Sequence, residues 1–112
     1  MSIAEILLDA AYQDTQLLQK NDSLGDDFKV LRNVDFVLTT NDLSKARIAS
    51  SFINDNRYGN ANYEKVGTEF RVTVTVFMPT CQHILCSVSG LMACVGKIFG
   101  LTYDGWGCVI QG

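Results

Sequence analysis

The chain is predicted to fold as an α+β sandwich: a four-stranded antiparallel sheet, two helices packed on one of its faces, and a further helix at the N-terminus. Three observations point there. Alternating apolar residues mark strands, and apolar residues three and four apart mark helices. Along the chain the two patterns follow the order helix, then strand-helix-strand-strand-helix-strand. Two amphipathic helices placed between strands in that order give the split βαβ arrangement called ferredoxin-like. One domain over residues 1–112 accommodates it, and a chain of 112 residues buries a core without disulfides or metal.

The elements follow in order. Over residues 3–20, Ile3, Ile6, Leu7, Ala10, Ala11, Leu17 and Leu18 form one apolar stripe of a helix. The polar run "KNDSLGDD" (20–27) is a connector. The first strand, 30–40, sets Val30, Val34, Phe36 and Leu38 on one face and Asn33, Asp35 and Thr39 on the other. Asn41 or Asp42 caps a helix over 43–54, whose Leu43, Ala46, Ala49, Phe52 and Ile53 share a face. After "NDNRYGN" a short strand runs over Asn62–Val66, with Gly67 at the turn. The clearest strand is 69–78: Phe70, Val72, Val74 and Val76 oppose Arg71, Thr73, Thr75 and Phe77. Pro79 ends it, and Thr80 is the expected N-cap of a helix over 81–99. That helix is expected to turn Ile84, Leu85, Val88, Leu91, Met92, Val95, Ile98 and Phe99 inward, with Gly100 in the left-handed position beyond its end. Residues 102–110 then supply the fourth strand, at a sheet edge beside the first. Asp104-Gly105, a frequent hairpin turn, falls inside this strand. Strict alternation there puts Gly105, Gly107 and Val109 on one face and Asp104, Trp106, Cys108 and Ile110 on the other.

Composition narrows the function classes. The net charge is -3, and the nine Lys and Arg residues are scattered, which argues against a nucleic-acid surface, since phosphate binding needs clustered cations. The N-terminal "MSIAEILLDAAYQD" carries Glu5, Asp9 and Asp14 and no basic leader, so it does not read as a secretory signal. Four cysteines in such a chain read as reduced thiols, and the cytoplasm is the expected compartment. Residues 72–96 hold no charge, but Pro79, Gln82, His83, Ser87 and Ser89 interrupt the run. A buried strand followed by a buried helix fits it better than a membrane span.

Chemistry is sparsely represented. Cys81, His83 and Cys86 bring together three ligand-type residues, yet C-x-H-x2-C matches no common zinc spacing, and neither metal nor cofactor is expected. His83 is the only histidine, and nothing in the sequence supplies an acid to orient it. The acids gather at 22–27 and 35–42, in connectors and caps, and the glycines form no phosphate loop. No catalytic residue is assigned. A protein-binding role is the better expectation, and two regions are candidates for it. At the terminal strand, Tyr103, Asp104, Gly105, Trp106 and Gly107 surround the only tryptophan; Trp106 reads either as a core anchor or as an interface hot spot. On the last helix, Ser89, Gly90, Ala93 and Gly96 form a small, weakly polar face. That face is expected to be buried in a homodimer or by a partner.

The segment "LTYDGWGCVI" closely resembles the terminal strand of the family of regulators of ribonuclease E activity, type B (RraB), whose members carry "YDGWG" there. "VDFVLTTNDLSKARIASSFINDNRYGN" is similar to the family's first strand and helix, and "GTEFRVTVTVFMPT" to its third strand. The resemblance covers roughly residues 30–111 and implies a ferredoxin-like fold with an added N-terminal helix. It also implies a non-catalytic cytoplasmic inhibitor that binds the endoribonuclease RNase E. The chain departs from the family pattern in stopping at Gly112, where members carry a strongly acidic tail. It departs again in the last helix, where Lys97 is the only charge between Cys81 and Phe99. The rival reading is a self-associating or immunity-type module on the same fold with another partner.

Overall fold

A computed structural model describes residues 1–112. The elements are α1 (Ile3–Ser23), β1 (Arg32–Thr40), α2 (Leu43–Asp55), β2 (Asn60–Val66), β3 (Glu69–Met78), α3 (Gln82–Phe99) and β4 (Thr102–Cys108). The sheet order is β2-β3-β1-β4 and every neighbouring pair is antiparallel. This is the ferredoxin-like sandwich preceded by a helix.

Local chemistry sets the boundaries. Ser2 and Glu5 form a reciprocal capping box, each side chain accepting from the other's backbone N–H at 3.1 Å, which starts α1. Asp42, rather than Asn41, caps α2: its Oδ1 accepts from the Ser44 N–H at 2.8 Å. At the far end of α2, the Asn54 amide exchanges two hydrogen bonds with the Ala61 backbone, at 2.9 and 2.8 Å. It stands in for a strand neighbour and lets β2 begin at Asn60, two residues before the predicted start. Thr80 is not the cap of α3. Cys81 holds that position without a side-chain bond, while Thr80 is fully buried and its N–H donates to the Phe28 carbonyl. Gly100 ends α3 at φ 78°, as its left-handed placement requires.

The core lies between the sheet and its helices. Val34, Phe36 and Leu38 of β1, with Val72 and Val74 of β3, meet Ala46, Ala49 and Ile53 of α2 and Leu85 and Met92 of α3, all fully buried. The other sheet face carries no helix. Asn33, Asp35, Arg71, Glu64, Asn62 and the threonines 73 and 75 line it, and Thr75 donates to the Asp35 carboxylate at 2.6 Å.

The orientation of α3 departs from expectation. Leu91 and Ile98, expected inside, are 37% and 70% exposed, whereas Ser89, Ala93 and Gly96, expected on the surface, are buried. The cause is α1, which packs chiefly against α3 and more lightly on β4. It covers the small-residue face that the sequence reading left for a second copy of the chain. Leu7 of α1 lies where a Gly90 side chain would meet it at 3.5 Å, and a Gly96 side chain would stand 3.0 Å from the Leu101 carbonyl. Ser89 and Ala93 are thus buried within one chain, and Gly96 lies tight against the sheet, where Leu38 and the Leu101 carbonyl leave no room for a side chain. That corrects the assignment of Ser89, Gly90, Ala93 and Gly96 to a homodimer face.

Candidate functional site

The terminal motif is organised by a β-bulge. On the β1–β4 ladder Phe36 pairs with Trp106 and Leu38 with Tyr103, so three steps along β4 match two along β1. The extra residue is taken up at Gly105, whose φ of 89° suits glycine and strains other residues. Asp104-Gly105 is therefore neither a hairpin turn nor regular strand. The bulge shifts the alternation, so that Tyr103 shares the inner face with Trp106 while Asp104 is exposed. The expected placement of Asp104 beside Trp106 is corrected accordingly.

Trp106 is a core anchor. It is 8% exposed, and its indole Nε1 donates to Asp14 Oδ1 of α1 at 3.0 Å. Asp14 is itself 2% exposed, and its Oδ2 has no hydrogen-bond partner. Beside it the Ser89 hydroxyl and the Tyr103 phenol share a 2.8 Å hydrogen bond. Burial raises the Asp14 pKa, partly offset by the neighbouring Ser89 hydroxyl and the Trp106 N–H. Burial likewise pushes the Tyr103 phenol well up. This network ties α1, α3 and β4 together. The sequence reading missed Asp14, although its position three and four residues from Leu17, Ala11 and Ala10 set a carboxylate on the apolar stripe.

A second buried polar group was also missed. Arg32 occupies an inward position of β1 and pairs with Asp26 at 2.6 Å, with both side chains buried. Its guanidinium also donates to the carbonyls of Val30, Asp27 and Val109. Asp26 Oδ1 accepts from the Gln111 N–H at 2.9 Å as well. The available signal was an arginine with the parity of Val34 and Phe36.

Two clefts flank the bulge, and Asp104 and Gly105 line both. One, of about 500 Å³, lies between α1, the C-terminal half of α3 and the start of β4. Asp9, Asp14, Asp104 and Lys97 are its charged side chains, and Met1 lines it too. The other, of about 530 Å³, opens on the bare sheet face beside Asn33, Asp35, Arg71 and Gly107. Of the motif, the parts open to a partner are Asp104, Gly107 and the bulge backbone at Gly105. Tyr103 is half-buried and Trp106 is committed inward.

Side chains suited to other chemistry do not converge. No group of three His, Cys, Asp or Glu residues is placed to hold a metal ion. His83 is exposed on the first turn of α3. Burial raises the thiols of Cys86 and Cys108, away from the thiolate form that nucleophiles and metal ligands need.

A family model described as "Regulator of ribonuclease activity B" (RraB) matches residues 11–108, which takes in Asp14, both central helices, the whole sheet and the bulged strand. The chain belongs to the RraB family. No curated protein matches the chain. Within the RraB domain of this chain, the Asp14–Trp106 bond joins residues close to the two ends of the matched span.

Proposed function

We propose that this chain is a non-catalytic regulator that binds the endoribonuclease RNase E in the cytoplasm and slows RNA cleavage, using the bulged edge of β4 as part of its contact surface. The observation that carries this reading is membership of a family named for regulating ribonuclease activity. The geometry supports a protein-binding surface at β4. With Trp106 and Tyr103 holding the inner side of the strand, Asp104, Gly105 and Gly107 present backbone and one carboxylate on an open sheet edge. Such an edge offers unpaired strand groups and little side-chain bulk to an approaching chain. The bare sheet face mixes Asp35, Glu64 and Glu69 with a single Arg71, a poor surface for phosphates. Contact with the ribonuclease rather than its RNA is therefore the favoured mode.

The test uses purified RNase E and a defined RNA substrate. Added protein is expected to bind the enzyme at micromolar concentration or tighter and to lower the cleavage rate. Asp104→Lys should weaken both effects without changing the thermal midpoint, since Asp104 is exposed. Unchanged cleavage together with no detectable binding at that concentration overturns the assignment to RNase E.

A further inference from the structure

We propose that the cleft between α1, α3 and the bulge of β4 receives the guanidinium or ammonium end of an arginine or lysine side chain carried by the protein partner; this deepens the binding role proposed above and rests on it. The lining sets three carboxylates, Asp9, Asp14 and Asp104, against the Lys97 ammonium and the terminal amino group of Met1. None of them is spent on an ion pair, because the only salt bridge in the molecule joins Arg32 to Asp26. Ala10, Ala93 and Leu101 supply apolar wall between the charges. That combination matches a long basic side chain, whose aliphatic stem packs on apolar surface while its head seeks carboxylates.

Asp14 adds an independent observation. A carboxylate that is 2% exposed normally has both oxygens satisfied. Here Trp106 occupies Oδ1 and nothing occupies Oδ2. Burial has raised its pKa, and a cation seated against this wall of the cleft favours the ionised form that burial opposes. Asp9 and Asp104 are exposed and reach the same cleft from α1 and β4. A partner side chain entering beside the bulge meets both before it reaches the Asp14 wall. Lys97 works against the ligand, which makes its removal informative.

The experiment is a ¹H–¹⁵N titration of the full chain with acetyl-Gly-Arg-Gly-amide, its Lys counterpart and its neutral citrulline counterpart, with spermidine as a separate arm. The basic peptides should give saturable shifts at the amides of Ala10, Tyr103 and Asp104 and at the Trp106 indole N–H, and citrulline should not. The Asp9→Asn and Asp104→Asn variants should each weaken binding about two- to fivefold, and Lys97→Met should strengthen it by a similar factor, as suits exposed charges. All three positions are exposed, so the fold is retained. Equal binding of citrulline, no saturable shift, indifference to the aspartate variants, or tighter binding of spermidine than of the peptides each overturns the proposal. The titration contains no ribonuclease. Peptide binding without RNase E binding therefore overturns only the enzyme assignment, and the reverse overturns only the cleft.

Discussion

Asp14 and Trp106 stand 92 positions apart and share one buried hydrogen bond, and most of what the terminal motif does follows from that contact. The indole supplies apolar area to the core and a single donor that a buried carboxylate needs. Its two contributions separate under mutation. Trp106→Ala should destabilise the fold by about 3–5 kcal/mol. Trp106→Phe, which keeps most of the packing but strips Asp14 of its donor, should cost about 1–3 kcal/mol. Urea unfolding of the two variants checks this, and a loss under 1 kcal/mol for the alanine variant would contradict the anchor role. Asp14 also predicts a pH dependence. Its folded pKa is raised above the unfolded value by burial, so across that interval the folded state binds more protons than the unfolded one. The stability held by the protonated carboxyl is complete below the unfolded pKa and is lost as pH rises through the folded one. Stability of the parent minus that of Asp14→Asn should therefore fall from about pH 4 upward and then level off. A difference that stays flat or rises over that range contradicts the sign. Sequence alone left Trp106 divided between anchor and hot spot, because the deciding partner lies on another helix. The hint was there in Asp14, a charge in line with Ala10, Leu17 and Leu18.

The strand β4 and the helix α3 show which features of an element are written locally. Several ends were legible: Asp42 starts α2 through its carboxylate, Gly67 and Gly100 end elements through a positive φ, and α3 runs within one residue of its predicted span. Faces were less so. The outward assignment of Ser89, Ala93 and Gly96 followed from counting apolar residues, and α1 packing on α3, with Gly96 set close against the sheet, inverts that count. In β4 a single inserted residue moves Tyr103 to the inner face, and alternation cannot anticipate a bulge. Gly105 and Gly107 then separate cleanly. A side chain at either meets nothing within 4 Å, but only Gly105 has a positive φ. Gly105→Ala should therefore cost about 1–2 kcal/mol from backbone strain alone. Gly107→Ala should stay within about 0.5 kcal/mol of the parent. Equal losses at the two positions, measured as thermal midpoints, would remove the bulge from the account.

At the scale of the molecule, three layers are stacked unevenly: one face of the sheet is bare, the other carries α2 and α3, and α1 lies chiefly against α3. The α+β order and the strand count were legible because each element carries its own periodicity. The ties between distant segments were not, since they rest on single polar side chains. Arg32 is the main one beyond Asp14. From β1 it holds the 26–30 connector through Asp26, Asp27 and Val30, and the segment after β4 through Val109. Asp26 reaches the same segment at Gln111, so one ion pair joins the loop after α1 to the C-terminal residues. The pair is buried on both sides, where losing one partner leaves an uncompensated charge. Arg32→Met should therefore destabilise by about 3–5 kcal/mol. Asp26→Asn should destabilise too, since the guanidinium then keeps only carbonyl acceptors. The double variant should recover part of the loss, with a coupling of about 0.5–3 kcal/mol expected for residues in direct contact. Hydrogen exchange adds a local readout. The Asp27 and Gln111 amides, which bond the Gln111 carbonyl and the Asp26 carboxylate, should lose protection in Arg32→Met before the central β1–β3 ladder does. Additive single-variant losses, or unchanged protection at Asp27 and Gln111, would show that the C-terminal segment is held without this pair.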